Sequence, residues 1–231
     1  MKKDTWNILD DDGRVLYREY RFTKGAYATT FAFRGTDGLV VVSPGSNMDA
    51  RAYDALREHG EVSALVANNA WHHLGQAAWR ERFPDAVSYA PRETVAALAK
   101  RAPSISFRPL DELALPEDVH YATPPGFKSG ECFFSVRARK GPIWFAGDLF
   151  ANLPRTPPAP VGWLFSLSGS APGFRLFKLA AWLMVRDKRA VKEWMLERLA
   201  SEPPAVVVPG HGPAFEAEDL TALARAQLER L

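Results

Sequence analysis

The chain has 231 residues, of which 47% are hydrophobic, and its 29 basic and 27 acidic residues give a net charge of +2. This length and hydrophobic content predict a single α/β domain over residues 1–231 and exclude a disordered chain. The near-neutral charge, without a long block of Lys or Arg, argues against nucleic acid as the main partner.

Three features favour a cytoplasmic protein. Cys132 is the single cysteine, which excludes an internal disulfide and fits a reducing compartment. The N-terminal MKKDTWNILDDDG has two lysines but no apolar stretch after them, unlike a signal peptide. The longest apolar run, residues 179–185, is far shorter than the roughly 20 residues of a membrane span.

In chain order, the first half predicts a hairpin and then helix, strand and helix. AYATTFAFR and LVVV are the hairpin strands, joined by the turn GTDG. Residues 48–60 have helical spacing, with Ser46 or Asn47 as the N-cap and Gly60 at the end. VSALVA is a buried strand, and GQAAWRERF is a short helix that ends at Pro84.

The second half predicts four strands, a proline-rich insertion, and then helix, strand and helix. The strands are ISFRPL, DVHYAT, ECFFSVRA and PIWFAGD, separated by Pro and Gly turns. Val191, Met195 and Leu199 fall on one face of the next helix, AVVV is a buried strand, and leucines line the final helix. The pattern predicts two mixed sheets packed face to face with helices outside.

The insertion, residues 149–173, and the segment that follows it are rich in aromatic side chains, including Trp163, Phe165 and Trp182. Ordinary core is the default interpretation. An active-site lid and a hydrophobic face for a partner subunit or a membrane surface are the alternatives. A homodimer through residues 160–185 is one partner prediction.

Three stretches place polar residues directly after a buried strand: ALVANNAWHHLG, PIWFAGDLF and AVVVPGHGP. Because such strand ends meet at one edge of a sheet, we expect His72, His73, Asp148 and His211 to approach one another. Imidazole and carboxylate groups suit zinc, iron or manganese. The alternatives are a histidine pair satisfied by backbone carbonyls, an aspartate that caps a turn, and a histidine within a Gly-Pro turn.

The order of these stretches resembles the metallo-β-lactamase superfamily, and the resemblance runs from the hairpin to the last helix. It implies an αββα sandwich. NNAWHHLG and PDAVSYAP also resemble a divergent branch with an N-x-x-H-H-L signature followed by P-x-A-x-x-x-x-P.

Several positions depart from the superfamily's motifs. In its His-x-His-x-Asp-His motif, His73 is the closing histidine and His72 stands at the aspartate position. Asn68 and Ala70 stand at the two leading histidines, and Phe127 stands at the histidine of a later Gly-His-Thr motif. The early Asp-x-Gly reads Ser-Pro-Gly at residues 43–45.

The resemblance therefore implies that one of two metal sites is lost. The other survives as His72, His73, Asp148 and His211, and the last three alone would leave the open coordination position of a catalytic zinc. The predicted cofactor is one divalent metal, with zinc ahead of iron or manganese, or none.

Two functions fit these residues. The first is a single-metal hydrolase of a small ester, thioester, lactone or phosphoester. Asp148 or a metal-activated water would be its general base, Asn68 or Asn69 would donate to a substrate oxygen, and Lys128 would stabilise charge. The second is a metal-free pseudoenzyme that binds a ligand or partner. Converging ligands below an open cleft would favour the hydrolase, and a cleft filled by Phe127 and the insertion would favour the pseudoenzyme.

Overall fold

The computed structural model describes residues 5–23, 26–156, 159 and 161–231. In the described chain, thirteen strands form two sheets and a separate two-stranded ribbon. The strands are β1 (Asn7–Ile8), β2 (Val15–Thr23), β3 (Ala26–Arg34), β4 (Leu39–Val42), β5 (Val62–Val66), β6 (Val87–Ala90), β7 (Arg108–Pro109), β8 (Val119–Ala122), β9 (Phe133–Ala138), β10 (Gly141–Phe145), β11 (Phe150–Leu153), β12 (Gly173–Leu176) and β13 (Val206–Val208). The helices are α1 (Ala50–Arg57), α2 (Gln76–Arg82), α3 (Arg92–Arg101), α4 (Val161–Ser168), α5 (Lys178–Met184), α6 (Lys188–Ser201) and α7 (Leu220–Leu228).

Both sheets are mixed, as the sequence predicts. The first contains β1 to β7 in chain order, antiparallel up to β4 and parallel from β4 to β7. The second has the order β13-β10-β9-β8, with only β10 and β13 parallel. Parallel neighbours end at the same edge, so the residues that follow β4 and β5, and those that follow β10 and β13, come together.

The core lies between the two sheets. Phe31 of β3 packs on Phe145 of β10 with ring centroids 5.5 Å apart, and Phe33 of β3 packs on Phe134 of β9 at 5.4 Å. A second apolar layer, with Tyr53 and Trp79, lies under α1 and α2, and a third covers the outer face of the second sheet under α6 and α7. This arrangement is an αββα sandwich, and the predicted fold class is confirmed.

Several local predictions need correction. The hairpin and the helix after it form, but the N-cap of α1 is Asp49, whose carboxylate accepts from the Ala52 amide at 2.8 Å, and neither Ser46 nor Asn47. Strand β2 was not predicted. Of ISFRPL, only Arg108–Pro109 is a strand. The insertion contributes β11 and α4, and β12 begins at its last residue.

No described helix is long and apolar enough to cross a membrane.

Candidate metal centre

The strand ends bring three of the predicted ligands into one group. His72 lies in the loop after β5, Asp148 follows β10, and His211 follows β13. One nitrogen of each histidine and one carboxylate oxygen of Asp148 all lie within 4.8 Å of one another. The sequence-based expectation of convergence is correct for these three residues.

The distances in this group suit either a proton or a metal ion between the ligand atoms. Nε2 of His72 lies 3.1 Å from both carboxylate oxygens of Asp148, and Nε2 of His211 lies 3.3 Å from Oδ1. Two atoms that bind zinc tetrahedrally at about 2.0–2.1 Å are themselves about 3.3 Å apart. The side chain of His211 is 18% exposed and that of Asp148 is 5% exposed, so solvent reaches the group from the His211 side.

The ring of His211 is oriented by a backbone carbonyl. Its Nδ1 lies 2.7 Å from the Tyr27 oxygen. Because a carbonyl only accepts, Nδ1 must donate, which leaves Nε2 for Asp148, a proton or a metal. Burial lowers the pKa of His211, but its hydrogen bond to Asp148 and the charge of Asp148 together raise that pKa above the ordinary value. Phe177 and Phe22 pack against the ring edge-on, with centroids 5.0 and 5.9 Å away.

His72 is oriented by a serine hydroxyl. Nδ1 of His72 lies 2.5 Å from Oγ of Ser43, which follows β4 and has a φ of 54°. Ser43 also hydrogen-bonds the hydroxyl of Tyr20, and burial raises the pKa of Tyr20 to about 12. Ser43 opens the Ser-Pro-Gly that stands where the superfamily has Asp-x-Gly, so this departure in the sequence has a defined contact with a ligand.

Asp148 is held by its neighbours as well as by the two histidines. Nδ2 of Asn69 donates to its Oδ2 at 3.1 Å. Burial alone would raise the pKa of Asp148, but the charge of His72 and the hydrogen bonds from both histidines hold it well below the ordinary value. A Cβ on Gly210 would lie 2.5 Å from Oδ1 of Asp148, so the glycine of Pro-Gly-His-Gly makes room for this carboxylate.

Glu131 is a buried carboxyl group that sequence reasoning missed. It is fully buried and accepts from Nδ2 of Asn68 at 2.7 Å and from Nδ2 of Asn69 at 2.8 Å. Burial and the charge of Asp148 raise the pKa of Glu131 well above its ordinary value, although the two amides oppose that shift. The available signal was a glutamate at the start of ECFF, immediately before a buried strand.

The other predicted site residues lie outside the ligand group. His73 turns its Nδ1 to the carbonyl of Ala70 at 3.0 Å, and burial lowers its pKa. Asn68 is fully buried on Glu131, so it does not face a substrate. Lys128 is exposed and donates to the carbonyls of Trp182 and Leu183 at the end of α5. The structure therefore does not bring His73, Asn68 or Lys128 into the ligand group, and their predicted roles stay predictions.

Phe127, at the position of the lost histidine, joins the apolar cluster beneath α5. It packs against the group formed by Phe177, Ala180 and Met184, and it makes a bridge to Val185. Since Phe177 contacts His211, this cluster covers one side of the ligand group without displacing its ligand atoms.

Comparison with solved structures identifies the fold. The chain superposes on the DIM-1 metallo-β-lactamase exposed to ceftazidime with a TM-score of 0.60 and 16% identity over 100% of this chain and 99% of that one. A metallo-β-lactamase from Erythrobacter litoralis with β-mercaptoethanol in its active site gives 0.62 and 15% over 100% and 98%. FIM-1 from Pseudomonas aeruginosa, in its mono-zinc form, gives 0.60 and 15% over 99% and 97%.

At the level of sequence, no protein-family model and no curated protein matches the chain. The chain therefore has the metallo-β-lactamase fold at an identity of about one residue in six or seven. The fold that the motif order implies is confirmed by these structures.

Proposed function

We propose that the protein is a metal-dependent hydrolase with a single divalent ion held by His72, Asp148 and His211. The observation that carries this proposal is the convergence of their ligand atoms within 4.8 Å. The positions of the lost motif histidines are filled by other contacts, since Asn68 binds Glu131 and Phe127 joins the α5 cluster. A second metal would have no comparable ligand set among the described residues.

Two imidazoles and one carboxylate favour zinc, with iron or manganese as alternatives. When bound, such an ion polarises a substrate carbonyl or phosphoryl oxygen and makes a nucleophile from water near neutral pH. The mono-zinc form of FIM-1 supports the idea that this fold can carry one ion.

The chain's own residues prepare the ligands for this chemistry. Tyr27 fixes the tautomer of His211, and Ser43 fixes the ring of His72. Asn69 holds Oδ2 of Asp148, which keeps Oδ1 turned to both histidines. Hydrogen bonds from neighbouring groups to metal ligands orient those ligands and raise their basicity.

The substrate we propose is a small ester, thioester, lactone or phosphoester that approaches from the side of His211, whose side chain is 18% exposed. Phe177 and Phe22 would contact the apolar part of that molecule because their rings flank His211. The cytoplasmic location stays a prediction. The metal-free pseudoenzyme is not favoured. A binding module does not need converging metal-ligand atoms, yet those of His72, Asp148 and His211 converge.

The test is hydrolysis of a panel of chromogenic esters, thioesters, lactones and phosphoesters by protein loaded with zinc, iron or manganese. We expect at least one substrate to be turned over by the wild type and by His120→Ala, whose histidine is exposed on β8 away from the centre. We expect Asp148→Asn and His211→Ala to lose that turnover by 100-fold or more, about the contribution of one essential catalytic group. Equal turnover in all four proteins would refute the assignment.

A further inference from the structure

The exposed large hydrophobic side chains are concentrated around the metal centre. Among the described residues there are nine of them, and eight lie on the β3 strand, the loop after β5, α4 and α5. The ninth, Ile8, lies on β1. The eight are Tyr27, Trp71, Leu74, Trp163, Leu164, Leu167, Trp182 and Leu183.

These four segments adjoin the ligands directly or through one or two aromatic contacts. The Tyr27 carbonyl binds His211, and Trp71 precedes His72. Phe177, at the start of α5, packs on His211, and Phe165 of α4 packs on Phe177 with ring centroids 5.4 Å apart. The exposed apolar side chains therefore lie on segments that adjoin the candidate active site.

Helices α4 and α5 both bury one side and expose the other. Phe165 and Phe177 join the same apolar cluster as Met184. On the outward sides, Trp163 is 68% exposed and Trp182 is 71% exposed. Several large apolar side chains exposed on neighbouring helices are typical of a surface that meets a protein or a membrane.

The charge of this region is one-sided. Residues 149–186 contain no Asp or Glu, although the whole chain has 27. The same stretch contains Arg155, Arg175, Lys178 and Arg186, and Lys128 lies against the end of α5. Exposed tryptophan and leucine beside basic residues is the composition of elements that lie in the interface of an anionic membrane.

We propose that this face, formed by α4, α5 and the edge of the metal centre, docks on the surface of a bilayer that contains anionic lipids. A second copy of the chain is a poorer occupant. A two-fold contact through α4 and α5 would place the same basic residues of both copies against each other with no acidic residue in 149–186 to pair with them. The docking does not require the metal, so it can fail or succeed independently of the proposed hydrolase activity.

The experiment is flotation of the full chain with two kinds of vesicle, one of phosphatidylcholine alone and one of phosphatidylcholine and phosphatidylglycerol in equal amounts. We expect binding to the anionic vesicles that weakens as salt is added, and little binding to the neutral ones. Trp163→Ser with Leu167→Ser, and separately Trp182→Ser with Leu183→Ser, should abolish it. Lys178→Gln and Arg186→Gln should each weaken it about fivefold, the effect of ~1 kcal/mol per basic side chain.

Ile8→Ser is the matched control, because Ile8 is 54% exposed and pairs with Leu16. Leu16 lies six residues, or about 20 Å, along β2 from Phe22, which contacts His211. Ile8→Ser, and the wild type treated with chelator, should bind vesicles like the untreated wild type. Failure of the wild type to bind anionic vesicles, or equal loss in Ile8→Ser, would overturn the proposal. A third result would also overturn it: the wild type sediments as a dimer, and Trp163→Ser with Leu167→Ser converts that dimer to a monomer. This result would assign the face to a second copy of the chain.

Discussion

Glu131 and Asp148 are two buried carboxyl groups joined by one amide. Nδ2 of Asn69 lies 2.8 Å from Oε2 of Glu131 and 3.1 Å from Oδ2 of Asp148. The histidines neutralise Asp148, whereas two neutral amides and a backbone N–H surround Glu131. The pKa values of the two groups consequently move in opposite directions, up for Glu131 and down for Asp148. Asn69 is therefore the residue that connects the candidate metal centre to the buried Glu131.

Glu131→Ala should destabilise the fold. It removes the acceptor of Asn68 and Asn69, and a buried donor left without a partner costs about 1–3 kcal/mol. Denaturant unfolding of the chelator-treated proteins measures this loss. A variant as stable as the wild type would show that the two amides find other acceptors.

Glu131→Gln should show the pH dependence of this carboxyl group. Burial and Asp148 raise the pKa of Glu131 above its ordinary 4.5, so the folded state holds the proton more tightly than the unfolded chain. The contribution of Glu131 to stability is therefore lost as pH rises. The free energy of unfolding of the wild type, relative to that of Glu131→Gln, should fall as pH rises above 4.5. A stability difference that does not change with pH would contradict the raised pKa.

Ser43→Ala should weaken metal binding. Its hydroxyl, 2.5 Å from Nδ1 of His72, sets the orientation of that ring, and loss of such a contact typically costs 10–100-fold in metal affinity. Ser88→Ala is the control. It removes a buried hydrogen bond, the 2.9 Å contact from Oγ of Ser88 to Oε1 of Gln76, which involves none of the proposed metal ligands. Zinc affinity by competition with a chromogenic chelator distinguishes the two, and equal affinities would show that Ser43 does not position His72.

The ion pair of His211 and Asp148 should give the metal-free protein a stability maximum in weak acid. Although burial opposes it, Asp148 raises the pKa of His211, so this contribution is complete below pH 6.5 and is lost as pH rises through the raised value. Burial would raise the pKa of Asp148, but the histidines lower it. The contribution of Asp148 to stability is therefore complete above pH 3.8 and is lost as pH falls through the lowered pKa. Thermal unfolding in chelator should show the alkaline loss in the wild type and a smaller loss in His211→Gln. An equal loss in both would place its origin elsewhere.

Lys128→Ala should leave hydrolysis unchanged, because the ammonium group binds the carbonyls at the end of α5 and is not in the ligand group. Interaction with a helix C-terminus contributes at most about 1 kcal/mol at an exposed position. The kcat/KM of the metal-loaded variant is the readout, and a large fall would restore the direct catalytic role predicted from the sequence.

The sequence predicted the fold well because its signals are local and repeated. Buried strands such as LVVV and AVVV are bounded by glycine and proline, and their order fixes which ends share an edge. The same logic placed Asp148 and His211 correctly. Strand β2 was missed because VLYREYRFT has charged residues within it. Asp49 is the N-cap of α1 because its carboxylate accepts from the Ala52 amide.

The remaining site residues could not be predicted because their roles depend on where side chains turn. His72 and His73 are adjacent and chemically identical, yet one faces Asp148 and the other faces the Ala70 carbonyl. Asn68 and Glu131 are 63 positions apart and meet only in the folded chain. A motif comparison identifies which ligands are lost, but it does not show which neighbouring polar groups occupy their places.

The most direct measurement is the metal content of the protein, purified without chelator or a histidine tag, by inductively coupled plasma mass spectrometry. The single-metal proposal predicts close to one equivalent of zinc, iron or manganese in the wild type and in His120→Ala, and its loss in His211→Ala. No metal in the wild type, even after incubation with each ion, would contradict the proposal and leave His72, Asp148 and His211 as a hydrogen-bonded group within the fold.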